Sequence, residues 1–526
     1  MKNIQTLMSI DCGTQSLRVL IYSPSGEQLF CEKINYTPYF SVKPGYAEQN
    51  PNVWWKSLCI AVQKAKQTVP ELFMNLRGVT VTTQRDTVLV VDTEGNAIRP
   101  AILWLDNRKV NPPYIPHGTE RLLLKLVHME EAVYKTQEAG KTNWIRYYEP
   151  EVWDKTYKVL LLSGYLTKKL CGEFVDSVAS QIGHIPFDYK KQCWASSSHR
   201  TMKMFPIEPE KLPKLVKPGS VIGTIQQQAS IETGLPYGLP VVASGSDKGC
   251  ETIGMGVLDE TMVSLSFGTT ATVQTTSKHY REPIRFMPSY PAALPDFFNP
   301  EVEIFRGYWM ITWFKNQFAY NEVLEAESNG TSPEVILNKH LSNTSPGSFG
   351  LMMHPFWTAG LENPSLKGAL IGFGDIHERS HVYRAIIEGL AYGLREGIES
   401  IERVSGKTVT IAAASGGASQ ADEICQITAD ILNKPIVRGA TPEASGLGAA
   451  MCCAAGIGWY DSVHDAVRAM KHHAVYFEPQ KQYVDLYNNL YAKVYKKMSS
   501  TLLPLYEAIR EIVNYPEKIN YTRLWR

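Results

Sequence analysis

Two stretches decide how this chain is read: Ser9-Ile10-Asp11-Cys12-Gly13-Thr14, and its echo Ser264-Leu265-Ser266-Phe267-Gly268-Thr269 about half the chain further on. Each is an apolar run that ends in a Gly-Thr turn and is followed by a second apolar run. Short apolar runs punctuated by Gly and Pro argue for strands joined as hairpins. In the first copy the strands are expected at 7–10 and 17–22, with Ser23-Pro24-Ser25-Gly26 as the next turn. A helix is predicted over 51–67, with Pro51 at its start and Trp54, Leu58, Ala61, Val62 and Ala65 on one face. Strands are predicted again at 78–83 and 88–92. Strands followed by helices place the chain in the α/β class. The echo divides it into two lobes, with a boundary expected near residues 250–260.

The second half supports the same class. A Pro- and aromatic-rich stretch at 283–300 has no clear period. Helices are predicted over 382–401, 420–432 and 480–513, the second stopping at Asn433-Lys434-Pro435 and the third broken at Pro504.

Composition narrows the function. Of 526 residues, 44% are hydrophobic and 20% charged, which is ample for folded cores. Lys plus Arg is 53 against 52 Asp plus Glu, a net charge of +1, so the basic excess of a nucleic-acid or membrane-surface binder is missing. The nine cysteines are scattered and include no C-x-x-C pair, which reads as free thiols in a reducing compartment. With no apolar leader at the N-terminus and no long apolar span, a cytoplasmic protein is expected.

Several catalytic signatures are absent. Gly406-Lys407-Thr408 lacks the upstream glycine of a P-loop and follows a helix, so Gly406 reads as a helix C-cap. There is no H-E-x-x-H, and Asp247 stands where a hydrolase elbow would need serine. What remains is a set of polar turns at strand ends. Asp11-Cys12-Gly13-Thr14-Gln15-Ser16-Leu17-Arg18 brings a carboxylate and successive N–H groups to one turn, suited to phosphate oxygens and to a Mg²⁺ held through water by Asp11. Gly268-Thr269-Thr270 offers a second such turn, and Ala414-Ser415-Gly416-Gly417-Ala418-Ser419-Gln420 a flat wall for a nucleoside. Ser244-Gly245-Ser246-Asp247-Lys248-Gly249 presents an Asp able to take a hydroxyl proton. Gln84, Arg85 and Asp86, with Trp104, Asp106 and Arg108, suit a polyhydroxylated ligand. Read singly, each has an ordinary alternative: hairpin turns, a strand-to-helix loop, a helix N-cap Asp and a surface salt-bridge cluster.

Taken in order, these segments resemble the FGGY family of carbohydrate kinases over roughly residues 6–480. The likeness rests on Asp11-x-Gly13-Thr14-x-Ser16-x-Arg18; on Gly45-Tyr46-Ala47-Glu48-Gln49 before Pro51 and Trp54-Trp55; and on Lys141-Thr142-Asn143-Trp144-Ile145 with Glu149-Pro150-Glu151. It continues through Asp247, Gly268-Thr269, Arg384-Ala385 with Glu388-Gly389, Gly416-Gly417 and Ala444-Ser445-Gly446-Leu447-Gly448. The resemblance implies two actin/ribonuclease H-like lobes with nucleotide and sugar in the cleft between them. It places the lobes at 1–255 and 256–480, with a helical extension at 481–526. It implies ATP and Mg²⁺, and transfer of the γ-phosphoryl group to a hydroxyl of a linear ketose or polyol. Asp247 would be the base and Asp11 the metal residue. Thr14, Gln15, Ser16, Arg18, Gly268 and Thr269 would hold phosphates; Gly416, Gly417 and Gln420 would frame the nucleoside. Gln84, Arg85, Asp86, Trp104 and Asp106 would face the acceptor. Gln84-Arg85-Asp86 is similar to the Gln-Arg-Glu of glycerol kinases, whereas Trp104-x-Asp106-x-Arg108 looks like the xylulokinase branch. Lys248 follows the base where glycerol kinases carry an amide, and the extra cation fits either a polar or acidic acceptor or a phosphate. The expected partner is the small-molecule sugar or polyol, with neither nucleic acid nor membrane, and with a homodimer as the assembly allowed for. A non-catalytic actin-like sensor of nucleotide and sugar is the alternative; it would be expected to lose Asp11 or Asp247, and both are present.

Overall fold

The computed structural model describes residues 4–127, 129–358 and 363–515; the end of the expected C-terminal extension, 516–526, lies outside them. Two six-stranded sheets organise the chain. The first contains β1 (Thr6–Cys12), β2 (Ser16–Tyr22), β3 (Gln28–Asn35), β4 (Leu76–Thr83), β5 (Val221–Thr224) and β6 (Pro240–Ser246), in the order β3-β2-β1-β4-β6-β5. The second contains β7 (Met262–Phe267), β8 (Ala271–Gln274), β9 (Glu301–Ile304), β10 (Ile411–Ser415), β11 (Ile436–Gly439) and β12 (His473–Phe477), in the order β9-β8-β7-β10-β11-β12.

The two sheets share one plan. A three-stranded antiparallel meander (β1-β2-β3 or β7-β8-β9) supplies one half. Two further strands run parallel to its first member, β4 and β6 in one lobe and β10 and β11 in the other, and an antiparallel edge strand closes each sheet. The Gly-Thr turns of the sequence echo are the same hairpin in the two lobes, β1–β2 and β7–β8. β1, β4, β7 and β10 are almost wholly buried, as expected of central strands covered by helices.

The helices that matter for the cleft are α1 (Pro51–Thr68), α2 (Asp247–Gly254), α3 (Arg379–Ser405), α4 (Asp422–Leu432) and α5 (Ala444–Gly456). α1 starts at Pro51 behind an Asn50 cap and buries Trp54, Leu58, Ala61, Val62 and Ala65, the face expected from the sequence. α3 ends at Gly406, whose φ of +68° makes it the left-handed cap. α2 and α5 follow the equivalent strands β6 and β11 and cross each other. A Cβ on Gly448 would lie 1.9 Å from the Cys250 carbonyl oxygen, and one on Gly254 would lie 2.0 Å from that of Ala444. Only glycine allows so close a crossing. α5, although it belongs to the second half, also lies on the first sheet, where a Gly446 Cβ would meet Leu20 and a Gly456 Cβ would meet Val242.

The C-terminal helix differs from expectation in where it is interrupted. Pro504 sits inside the helix Lys496–Val513; the irregularity lies at Tyr491–Tyr495, a π-helical segment after Lys481–Leu490. There Tyr491 stacks on Tyr392 of α3, and Tyr495 packs against the same ring at a tilt. Large rings pack at this wider turn, and the following helix runs on through Pro504, the ninth of its 18 residues. Arg510 near its end reaches Glu131 of the first lobe at 2.9 Å. No helix among the described residues is long and apolar enough to cross a membrane, and all nine cysteines are unpaired thiols.

Candidate active site

Parallel pairing brings the polar turns to one edge. β4 lies between β1 and β6, with Thr82 opposite Asp11 and Thr83 opposite Ser246. Asp11, Gln84–Asp86 and Asp247 therefore all stand at the carboxyl ends of neighbouring strands, with Asp11 and Asp247 two strand spacings, about 10 Å, apart. The β6 register shifts between Ala243 and Ser246. Side-chain bonds lock that bulge: Ser244 to the Val81 carbonyl at 2.7 Å and Thr82 to the Gly245 carbonyl at 2.9 Å. Such a bulge re-aims the residue next to it, here Asp247.

Asp247 is not the cap of its helix. Ser246 is, its Oγ accepting the Gly249 N–H at 3.3 Å, so Asp247 occupies the first helical position. Its Oδ1 accepts the Lys248 N–H at 2.8 Å and lies 4.0 Å from Arg85 Nε. Burial raises its pKa above the usual carboxylate range, opposed by Arg85 and Lys248. Asp11 is pushed up to about 7 by burial, with Arg18 opposing and Asp247 adding to the rise, so the two carboxylates share one electrostatic field. Arg18 lies 3.6 Å from Asp11 and 3.1 Å from Glu443, which precedes α5.

The first turn is a closed network. Gly13 N–H donates to the Ser16 carbonyl at 3.0 Å, and Tyr36 N–H to that of Gln15 at 3.1 Å, which leaves the Gln15 side chain exposed. Trp104 Nε1–H donates to Thr14 Oγ1 at 3.0 Å, and that hydroxyl donates to Gln84 Oε1 at 2.6 Å. The other end of this amide, Gln84 Nε2, is buried without a partner, and so is one terminal nitrogen of Arg85. Two orphaned donors next to Asp247 mark a place for a ligand's oxygen atoms.

Arg85 reaches across the cleft. It makes a two-oxygen contact with Glu301 of β9, 3.0 Å to each, lies over the Tyr290 ring at 5.0 Å and touches Ser246 at 3.3 Å. Asp86 has a positive φ of 48° and is bound by Lys141 at 2.5 Å and by His184 Nδ1 at 2.7 Å. Burial works to raise its pKa, but these two partners overcome it and hold the carboxyl well below the usual range. Asp106 is placed differently from the expected ligand contact. Its side chain is 0% exposed, and its oxygens are taken by Arg108 Nε at 2.8 Å and the Ala47 N–H at 2.5 Å. It props Arg108 against Glu48 and so fixes the loop that carries Trp104.

In the second lobe, Ser266 pairs with Ser415 across parallel β7 and β10, so Gly268-Thr269 and Gly416-Gly417 lie side by side at one edge. The Tyr308 N–H holds the Gly268 carbonyl at 3.0 Å, and Thr269 is exposed. Gly416 has φ +87°, and a Cβ there would press on the Phe267 backbone at 3.0 Å. Gly417 has open space where a side chain would be, and Gln420 is exposed at the end of a 3₁₀ turn, Gly417–Gln420, that precedes α4. The helix thus begins two residues later than expected, at Asp422.

α2 fastens the two edges together. Lys248 Nζ bonds Glu251 at 2.8 Å and also the Ser266 hydroxyl, while Glu251 accepts from the Ser415 hydroxyl. Lys248 is therefore turned towards the second-lobe turns and neutralised by Glu251. Around Asp11, no three His, Cys, Asp or Glu side chains converge as metal ligands among the described residues. A buried carboxylate of raised pKa beside a second one fits a cation that keeps its water shell and needs few protein ligands. Lys141, His184, Glu251, Glu301 and Glu303 were not picked out as site residues by the sequence reading. Lys141 had a signal in its family-like segment, whereas the two glutamates of β9 had only a two-residue spacing to show.

Paired sheets of one topology with facing turns define the two-lobed, actin-like ATPase fold. Residues 6–254 match the N-terminal domain of the FGGY family of carbohydrate kinases and residues 263–457 its C-terminal domain. The chain belongs to that family, and it is a phosphotransferase with an alcohol acceptor that uses ATP. A xylulose kinase of Bacillus subtilis (strain 168) is 27% identical, over 92% of this chain and 96% of its own length. A gluconokinase of the same organism is 23% identical, over 91% and 93%. The crystal structure of a xylulose kinase from Rhodospirillum rubrum superposes with a TM-score of 0.80 at 23% identity, covering 96% of this chain and all of that one (100%).

Proposed function

We propose that this kinase transfers the γ-phosphoryl group of ATP to a hydroxyl of a linear ketose or polyol, such as the pentuloses xylulose and ribulose or a glycerol-like polyol. The observation that carries the reading is Asp247: capping is done by Ser246, so the half-buried carboxylate has one oxygen turned to the Lys248 N–H and the other uncommitted, with a raised pKa beside Arg85. As the acceptor oxygen attacks phosphorus, Asp247 takes its proton; the bond to the β-phosphate oxygen breaks and ADP leaves with that electron pair. Gln84 Nε2 and the free Arg85 nitrogen are the donors aimed at acceptor oxygens, and the Trp104 ring, 43% exposed, covers the apolar side of the acceptor's carbon chain. Asp86 keeps Lys141 and His184 in place behind them. Backbone N–H groups of Thr14, Gln15, Ser16, Gly268 and Thr269, with the Thr and Ser hydroxyls, hold phosphates from the two lobes; Arg18, paired with Asp11 and Glu443, flanks the first turn as a further N–H donor. Gly416, Gly417 and Gln420 form the nucleoside wall. Asp11 would hold Mg²⁺, which would supply neutralisation of phosphate charge.

The xylulose kinase relative supports a ketose, and the Gln84-Arg85-Asp86 run a polyol. Acceptor-dependent ADP release over a panel of pentuloses, hexuloses, glycerol, erythritol and sugar acids tests the proposal. Turnover is expected with at least one linear ketose or polyol. ADP release that no member of the panel accelerates would refute it.

A further inference from the structure

We propose that Glu303, supplied by the second lobe, is a specificity-determining residue that turns anionic acceptors away from the hydroxyl-binding pocket. The inference rests on the kinase reading above and concerns which acceptors that site admits. β9 carries Glu301 and Glu303 two residues apart, so both side chains leave the same face of the sheet, opposite Gln274 and Thr272 of β8. Glu301 is buried and committed: Arg85 takes both its oxygens at 3.0 Å, and Gln274 Nε2 bonds one of them at 2.6 Å. Glu303 is not. Among the described residues no hydrogen bond or ion pair engages its carboxylate, yet it lies in the fields of Glu301, Arg85, Lys248 and Tyr290, and Arg85 and Lys248 also flank Asp247.

The charges around the base leave no room for a second anion. Arg85 is shared by Glu301 and Asp247, Lys141 is held by Asp86, and Lys248 by Glu251. Each of these cations already has its carboxylate, and Glu303 remains as a surplus negative charge. Burial, then Glu301, raise its pKa to about 7 against the pull of Arg85 and Lys248. It is therefore ionised at mildly alkaline pH. A hydroxyl can satisfy this arrangement in both directions: it accepts from the orphaned Gln84 and Arg85 nitrogens and donates to Glu303. An acceptor carboxylate cannot donate, and would meet a like charge with no free cation to offset it.

The test is steady-state ADP formation at about pH 8 with xylulose, ribulose and xylitol against gluconate and xylonate, for wild type, Glu303→Gln and Glu303→Asp. The best neutral acceptor is expected to exceed the best anionic one by about 100-fold or more in kcat/KM for wild type, and Glu303→Gln to shrink that ratio by about tenfold. Glu303→Asp keeps the charge and is expected to retain the wild-type ratio. The KM for ATP should stay within about twofold throughout, which a general loss of structure would not allow. Wild-type use of gluconate or xylonate as efficiently as the best neutral acceptor would overturn the proposal, as would a ratio that Glu303→Gln leaves unchanged. If nothing on the panel is phosphorylated, it is the kinase reading that fails. Calorimetric binding of the same five acceptors to wild type and Glu303→Gln then still decides the charge discrimination.

Discussion

Asp247 has its freedom from the residue before it. Because Ser246 satisfies the helix N-terminus, the carboxylate one position on is left for other work. Sequence could bring an Asp to this strand end, but it could not tell a cap from a free carboxylate, since both need the same residue types in the same turn. Partners across the cleft were equally hidden: Arg85 and Glu301 are far apart in the chain and meet only because two sheets face each other. Asp106 shows the opposite failing. An Asp-x-Arg pair beside a tryptophan reads as ligand chemistry, yet its side chain is spent on Arg108 and the Ala47 N–H. The Asp86–Lys141 pair offers a test at this scale. Lys141→Met leaves a nearly buried carboxylate with only His184 beside it and is expected to cost about 3 kcal/mol at pH 7. The folded protein binds the Asp86 proton less tightly than the unfolded chain does. The pair's contribution is thus complete above the ordinary carboxylate pKa of about 4 and is lost as pH falls through the lower folded value. Thermal melts of wild type and variant should therefore differ at pH 7 and draw together below about pH 4. Identical melting temperatures at neutral pH would contradict the pairing.

Hairpins and periodic helices were legible because their signals are local. The Gly-Thr echo, the Pro51 start and apolar face of α1, and the Gly406 stop of α3 all appear in the structure as read. The interruption of the last helix was not, because it falls where the rings of Tyr392, Tyr491 and Tyr495 pack together, and proline is only a local signal. Nor did periodicity show that α5 would lie on the first sheet. Its run of Gly, Ala and Cys is apolar on every side, so no one face is marked. The α2–α5 crossing is the element on which the two lobes meet. Alanine at Gly448 would gain about 1 kcal/mol in helix propensity, but its methyl would sit 1.9 Å from the Cys250 carbonyl oxygen. That backbone atom can move only with α2, so the clash wins, and Gly448→Ala is expected to lose about 1–3 kcal/mol in urea denaturation. A variant as stable as wild type would mean that the helices do not cross this closely in solution.

At the scale of the molecule, two copies of one sheet plan each bring their parallel strand ends to a common cleft. The first lobe contributes Asp11, Gln84, Arg85 and Asp247; the second contributes the Gly268 and Gly416 turns and the glutamates of β9. α2 carries Asp247, the proposed base, at its start, ties Ser266 and Ser415 through Lys248 and Glu251, and crosses α5 at its end. Motion of the lobes about this crossing would therefore be felt at the base itself. In the proposed reaction the acceptor hydroxyl gives its proton to Asp247 while other residues hold the nucleotide. Acceptor-dependent ADP formation and ATP affinity, measured side by side for wild type and Asp247→Ala, test it most directly. Turnover is expected to fall by about a thousandfold while the Kd for ATP moves by less than about threefold, since no nucleotide-holding group is touched. Turnover at the wild-type rate, or a loss of ATP binding as large as the loss of turnover, would contradict it.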